Sequence, residues 1–165
     1  MPLPELDLPH QTGGWPPDPL GAPAYYRDIT ARRIVAYVVD AWMIALILGG
    51  IYLLLLMATA ATFGLLLFLH PLLAPLPVLV ALAYHSLQTA GPHGATLGMR
   101  LCGLRVYDLD GGAPTLPRTL LHTACFYGTL VPSGGLLLLI ALFNPLRRTL
   151  HDMAAGLVVL RKIGI

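Results

Sequence analysis

The sequence predicts an all-α membrane protein. We expect two firm transmembrane helices, a third apolar helical segment that spans the membrane or re-enters it, and a small cytoplasmic β element. Of the 165 residues, 56% are hydrophobic and only 11% are charged, whereas a soluble domain is about one quarter charged. Three long apolar runs occur along the chain, and its ten Lys and Arg residues lie outside them. This charge placement is typical of membrane proteins and argues against a nucleic-acid-binding surface.

The first 30 residues contain seven prolines and several glycines. Proline removes backbone donors and breaks helices, and a segment of this composition buries little apolar surface. Residues 1–30 are therefore predicted to form a disordered or extended tail. Near its end, Tyr25 and Tyr26 suit the headgroup layer at the membrane surface.

Two apolar runs follow the tail, joined by a short uncharged connection. Residues 34–57 are long enough to cross a hydrocarbon core of about 30 Å. The second run, residues 65–87, contains Pro71, Pro75 and Pro77, so a kinked or broken helix is expected near its middle.

The positive charges predict the orientation of these two spans. No Lys or Arg occurs between Arg33 and Arg100, so the connection between the spans carries none. Because short loops rich in Lys and Arg stay in the cytoplasm, the N-terminus and residues 88–118 are predicted to be cytoplasmic.

The polar segment after the second span is predicted to contain a β-strand. Residues 104–108, "LRVYD", alternate as a strand does, and "LDGG" just after them is a turn signal. Residues 156–162, "GLVVLRK", have the same β-branched character. We expect the two strands to pair at the membrane surface.

The third apolar run, residues 120–143, permits two topologies. Its 24 residues favour a full crossing. Residues 131–135, "VPSGG", divide it into halves of about a dozen residues, which is typical of a re-entrant segment. Charge bias favours re-entry and a cytoplasmic C-terminus, because a full crossing would place four basic residues outside. These four are Arg147, Arg148, Arg161 and Lys162.

Asp40 lies inside the first span, where a charge costs about 2.5–3.5 kcal/mol on insertion scales. Arg33 precedes it by seven residues, which places both within about 20° on one helix face. Two interpretations stay open: Asp40 binds a cation or relays a proton, or it forms a structural ion pair or hydrogen bond that fixes helix packing. The predicted partners of Asp40 are Tyr84, His85, Arg105 and Arg148, and Arg118 is a predicted partner of Asp152.

His151 and Asp152 form a second polar pair. Adjacent residues point about 100° apart on a helix, so both rarely face one ligand. The sequence shows no second metal-ligand cluster and no nucleophile elbow beside them. We therefore expect Asp152 to pair with an arginine near the membrane, and we expect no enzyme activity, no metal and no cofactor.

A row of small residues, Ala41, Ala45 and Gly49, recurs at every fourth position of the first span. Such rows let helices approach closely in membranes. The row lies about 100° from Asp40 around the helix, so it predicts a separate contact face.

Three ordered motifs resemble the RDD family of small bacterial membrane proteins, named for one arginine and two aspartates. They are "RRIVAYVVDAW" in the first span, "TLGMRLCGLRVYDLDGG" after the second, and "RRTLHDMAAGLVVL" near the C-terminus. The resemblance covers residues 27–162. It implies that an RDD-like domain, residues 31–162, follows the proline-rich tail of residues 1–30 and lies in the bacterial inner membrane.

On this resemblance the signature residues are Arg33, Asp40 and Asp152, and they would form one charged cluster if Asp152 is cytoplasmic. The sequence departs from the family's pattern at two basic positions. Met99 stands where lysine is usual, and His122 stands where arginine is common. The loss of two basic groups argues against an anionic ligand.

Two classes of function are consistent with this sequence. An accessory or assembly subunit in the lipid bilayer would pack its spans against larger membrane proteins or further copies of itself. We prefer this hypothesis because the chain is short and has one intramembrane acid. An oligomeric transporter or cation/proton exchanger, as the resemblance implies, would use Asp40 as its ion site and the proline-broken span as its moving element.

Overall fold

The computed structural model describes residues 15–162, which are mostly helical. The helices are α1 (Ile29–Ala61), α2 (Leu76–Ala90), α3 (Leu97–Leu101), α4 (Leu116–Ser133), α5 (Ile140–Phe143) and α6 (Leu150–Ala155). Strands β1 (Leu104–Asp108) and β2 (Leu157–Arg161) form a two-stranded sheet. Short 3₁₀ helices cover Pro23–Tyr25, Leu65–Leu73 and Leu136–Leu139. The predicted combination of apolar helices with a small sheet is confirmed.

Helix α1 is the longest element, with 33 residues and a length of about 50 Å. Within residues 15–162 it is the one unbroken helix that is long and apolar enough to cross a membrane. Two bent helix pairs reach the same criterion when each pair is counted as one span. Most side chains of α1 are exposed, as expected for a helix whose surroundings are lipid.

The second apolar run is broken near its middle, as its prolines predict. A 3₁₀ helix ends at Leu73, α2 begins at Leu76, and the two parts are bent by 52°. Pro75 is the N-cap of α2 and Pro77 lies in its first turn. A missing backbone N–H costs no helical hydrogen bond at these positions.

The third apolar run is bent far more sharply, by 115°. The bend follows α4 at Gly134 and Gly135, whose φ angles are +56° and +88°. Glycine adopts this left-handed conformation without steric strain. The chain therefore turns back between α4 and the pair formed by Leu136–Leu139 and α5, which we call the return segment.

Strands β1 and β2 pair antiparallel, with Leu104 opposite Arg161 and Asp108 opposite Leu157. Both predicted strands and their pairing are confirmed. The sheet packs into one apolar core together with Ile29, the first residue of α1. The start of α1, the segment after α2 and the C-terminal strand therefore lie at the same end of the molecule.

The segment before α1 also packs onto this sheet. Tyr25 and Tyr26 are buried in its core, and Trp15 Nε1 donates a 2.9 Å hydrogen bond to the carbonyl of the last β1 residue. Residues 15–28 thus differ from the predicted tail, because their aromatic side chains find an apolar surface that only the folded sheet provides. Residues 1–14 lie outside the described part of the chain.

Helix α3 lies so close to α1 that Gly98 has no room for a side chain. A Cβ atom placed on Gly98 would lie 2.9 Å from the carboxyl carbon of Asp40 and closer still to the carbonyl oxygen of Ala36. Backbone atoms cannot move aside as a flexible side chain can, so this contact fixes the spacing of the two helices.

We predict that Gly98→Ala lowers the free energy of unfolding by about 1–3 kcal/mol, because α1 and α3 must separate to make room for the methyl group. Unfolding in detergent, followed by circular dichroism against denaturant, measures the loss. Gly128→Ala is the control, since a Cβ there meets nothing within 4 Å and alanine favours a helix. Equal stability of the two variants would contradict the close contact.

Candidate functional site

Asp40 is buried, with 1% of its surface exposed, and its carboxylate accepts three hydrogen bonds. Oδ1 accepts from Tyr84 Oη at 2.8 Å and from the Gly98 backbone N–H at 2.8 Å. Oδ2 accepts from Thr96 Oγ1 at 2.6 Å. Because Tyr84 lies on α2 and the other two donors lie at the start of α3, Asp40 joins α1 to both helices.

The sequence at the start of α3 explains these contacts. Thr96 is the N-cap, and its hydroxyl oxygen also accepts a 3.2 Å hydrogen bond from the Met99 backbone N–H. Its hydroxyl proton is thereby left for Asp40. Gly98, with no side chain, lets the backbone N–H approach the carboxylate.

Asp152 is the second buried carboxylate and has no exposed surface. Arg33 Nη1 lies 2.5 Å from Oδ2, and His122 Nε2 lies 2.9 Å from Oδ1. The Thr149 backbone N–H donates to Oδ2 at 2.8 Å, within the capping box that begins α6. One carboxylate therefore connects α1, α4 and α6.

The electrostatics around Asp152 keep it ionised. Burial alone would raise the pKa of Asp152, but the Arg33 guanidinium and the His122 hydrogen bond hold this pKa well below its usual value. Burial has the opposite effect on His151 and lowers its pKa to about 4. Near pH 7 the His151 ring is therefore neutral, with Nε2 lying 2.7 Å from Thr149 Oγ1.

His122, His151 and Asp152 have the residue types of a metal site, and their ligand atoms lie within 4.8 Å of one another. Their contacts favour an ion-pair network instead. Both oxygens of Asp152 already accept hydrogen bonds, and Arg33 places a positive charge beside one of them. A cation would have to displace that guanidinium.

The other predicted partners of the signature aspartates have contacts of their own. Arg105 lies over the Tyr107 ring, 5.3 Å from its centroid, and Arg118 pairs with Asp108. Arg148 donates to two backbone carbonyls, at 2.8 and 3.1 Å. These arginines stabilise the sheet and the start of α6 rather than the carboxylate of Asp40.

A cavity of about 300 Å³ lies beside the two aspartates, and its wall is largely apolar. Its polar lining includes Arg33 and Asp40 from α1, His85 from α2, His122 from α4 and Asp152 from α6. The signature residues thus border one cavity but belong to two bonded groups: Arg33 is paired with Asp152, and Asp40 is held by neutral donors.

Several residues that hold the carboxylates were not predicted as site residues: Thr96, Gly98, His122 and Thr149. A signal was present for Thr149, because Thr-x-x-Asp before an apolar run is a capping-box pattern. His122 takes the place of the arginine that the family resemblance implies, and it provides one bond to Asp152. No pattern of neighbouring residues in the sequence predicts that Gly98 approaches Asp40.

The predicted small-residue row lies on an exposed face of α1. Ala41, Ala45 and Gly49 are all exposed, and a Cβ at Gly49 would meet nothing within 4 Å. The row is therefore open to another helix.

A long apolar helix, two bent apolar runs and a small sheet around a buried Arg–Asp network define a small helical protein of the membrane type. The sequence profile of the RDD family matches residues 29–156, which is 128 of the 165 residues. The chain belongs to the RDD family, and the resemblance seen in its motifs is confirmed. Comparison with curated proteins found no match, and neither did comparison with solved structures.

We predict that Asp152→Asn lowers the free energy of unfolding by about 3–5 kcal/mol, because Arg33 then stays buried without its counter-charge. The double variant Arg33→Gln/Asp152→Asn should lose less than the sum of the two single changes. Denaturant unfolding in detergent provides all four values of this cycle.

The control for this cycle is Asp108→Asn. Asp108 is buried too, with a side chain that is 12% exposed, but its partner Arg118 is 43% exposed. Because Arg118 can be hydrated once it is unpaired, the expected loss is about 1 kcal/mol. If the loss of unfolding free energy in the double variant equals the sum of the losses in Arg33→Gln and Asp152→Asn, a direct ion pair between the two residues is contradicted.

Proposed function

We propose that this protein is an accessory or assembly subunit that packs against another membrane protein. The observation that supports this best is the bonding of Asp40, whose carboxylate accepts three hydrogen bonds from its own chain. A carboxylate bonded in this way serves as a packing anchor between helices and needs no bound cation.

The same bonding supports a non-catalytic role. A general base must have an oxygen or nitrogen available for the proton it takes. The oxygens of Asp40 and Asp152 are already engaged by protein donors, and His151 is bonded to Thr149. We therefore propose that these residues hold the fold together and catalyse no reaction.

The proposed topology places the sheet end in the cytoplasm of a bacterial inner membrane. Strands β1 and β2 are paired, and Ile29 packs with them, so three chain segments share this side. All ten Lys and Arg residues belong to these segments or to the adjoining helix ends. This supports a cytoplasmic location by the positive-inside rule.

In this topology α1 and the bent second run are the two crossings. The third run must then enter and leave on the same side. Its 115° bend at Gly134 and Gly135 suits a re-entrant segment, and re-entry keeps irregular backbone within the protein.

We predict that labelling will distinguish the two sides. Single cysteines are introduced by Phe63→Cys, Asp110→Cys and Lys162→Cys, at exposed positions, after Cys102 and Cys125 are changed to serine. A membrane-impermeant maleimide should label position 63 in intact spheroplasts, and positions 110 and 162 only after permeabilisation. Labelling of position 162 in intact spheroplasts would exclude re-entry.

The proposed interface is the small-residue row, and its proposed occupant is a transmembrane helix of another membrane protein. Ala41, Ala45 and Gly49 let such a helix approach the backbone of α1. The neighbouring exposed row begins with Trp42 and Leu46, whose bulk keeps a partner helix away.

We predict that Gly49→Leu removes the partner from the complex purified in mild detergent, because the leucine fills the groove that the partner helix occupies. Gly50→Leu is the matched control: its position is equally open, but it points about 100° away. Native mass spectrometry of the tagged protein measures the mass and identity of what co-purifies. Equal recovery of the partner with both variants would contradict this interface.

The cavity that reaches Asp40 favours a second candidate, the oligomeric transporter or cation/proton exchanger. One chain of this size has few helices to enclose a path for an ion across the membrane, so this function requires a homo-oligomer. A purified homo-oligomer that carries cation-driven proton flux in liposomes, with flux lost in Asp40→Asn, would favour exchange over the accessory role.

A further inference from the structure

We infer that the cavity between α1, α4 and the return segment takes up one acyl chain of a membrane phospholipid. This inference rests on the membrane location proposed above for the third apolar run, and it does not depend on the accessory role. Three observations support it: the composition of the wall, the place where the cavity opens, and the way in which the return segment is held.

The wall of the cavity is largely apolar. Ile34 and Tyr37 of α1 line it and lie three positions apart, so they share one helix face. Phe126 and Leu130 of α4 lie four positions apart and also share a face, and Leu138 lines the cavity from the return segment. A cavity with apolar walls stays free of water and binds apolar molecules.

The polar side chains at the edge of the cavity offer little to a polar ligand. Arg33 is paired with Asp152, which has no exposed surface. Asp40 is 1% exposed, and its carboxylate is bonded by three donors. A buried water or polar group needs several polar partners, and groups that are bonded and covered cannot be those partners. The cavity therefore suits the chain of a lipid and not its headgroup.

Two lining residues show where the cavity opens. Ile34 and Leu139 both line it, yet they are 59% and 49% exposed. The cavity therefore reaches the outer surface between α1 and the return segment. Both residues belong to apolar runs, which the proposed topology places in the bilayer, where the groups around the protein are lipid chains. A phospholipid chain can enter the cavity there from the side.

The return segment forms one side of the cavity and is held loosely. Within the described residues it makes no hydrogen bond to either buried aspartate. The cavity volume of about 300 Å³ is at the small end for ligand pockets, so it takes part of one chain and not a whole lipid. Side chains around an empty space lack dispersion contacts. A lipid chain supplies these contacts and packs the return segment against α1 and α4.

The test uses a phosphatidylethanolamine that carries a diazirine at the middle of one acyl chain, in nanodiscs that contain the unmodified protein. Illumination attaches the chain to the residues it touches, and peptide mass spectrometry locates them. Four positions of α4 are compared. Phe126 and Leu130 line the cavity, whereas Ala124 and Val131 are exposed and lie outside the lining. Because each lining residue is within two positions of an exposed one, both kinds lie at similar depth.

Lipids around the protein should label Ala124 and Val131, and a chain in the cavity should label Phe126 and Leu130 as well. Label confined to Ala124 and Val131 would overturn the inference and leave the proposed topology intact. Absence of label from all four positions would place α4 outside the bilayer and overturn the topology and the inference together.

A second lipid tests whether the chain is recognised. A phosphatidylglycerol with the same diazirine chain should label Phe126 and Leu130 to the same extent, because the wall contacts the chain alone. Label at these two positions from only one of the two lipids would overturn recognition of the chain.

Variants test the location of the site. Leu138→Trp should lower the label at Phe126, relative to Ala124, at least about tenfold, because the indole occupies the space that the chain needs. Leu136→Trp is the matched control, since Leu136 is 71% exposed and lies outside the lining. Unchanged label in Leu138→Trp, or an equal loss in Leu136→Trp, would overturn the location. If Leu138→Trp does not fold, the four positions in the unmodified protein still decide the question.

Discussion

A carboxylate buried among apolar side chains must be bonded by its own chain, and this requirement organises the fold. Asp40 and Asp152 are both almost entirely buried. The first holds α2 and α3 against α1, and the second holds α4 and α6 against the start of α1. Because an unpaired buried charge costs several kcal/mol, an arrangement of these helices that separates either aspartate from its partners is strongly disfavoured.

The carboxylates of the two aspartates are bonded by different kinds of donor, and their positions relative to the apolar runs explain why. Asp40 lies eleven residues into α1, where a second charge would itself be costly to bury. It is bonded by two hydroxyls and one backbone N–H, all neutral. Asp152 lies beyond the apolar runs and Arg33 lies before the first of them, so both charges of this pair stay outside the apolar segments. The family's arginine and two aspartates therefore do not make a single ion cluster in this chain.

Features with a local cause could be predicted from the sequence. Prolines predict the break in the second run, and alternating β-branched residues predict both strands. Contacts between distant residues could not be predicted in this way. Thr96 and Asp40 are 56 positions apart, and their meeting depends on how closely α3 approaches α1, which only the packed structure determines.

The contacts within the site show the same limit of prediction from sequence. Spacing along α1 places Arg33 and Asp40 on one face, and the resemblance to the RDD family implies one charged cluster of these two residues and Asp152. In the structure Arg33 pairs with Asp152, 119 positions away, and not with Asp40, because the capping box of α6 holds the Asp152 carboxylate beside it. Arg118 finds a nearer acceptor in Asp108. When several arginines compete for few carboxylates, the sequence alone does not decide which pairs form.

The hydrogen bonds of Asp40 also restrict which helices can move. Alternating access requires an element with two packed arrangements, and the sequence suggests the broken second apolar run as that element. Its second half, α2, is tied to α1 through the bond from Tyr84 to Asp40. Moving α2 would leave a buried carboxylate one donor short, which is unfavourable. The return segment has no such bond to either aspartate, although Leu138 and Leu139 line the cavity. The return segment can therefore shift beside the cavity without breaking a bond to either aspartate.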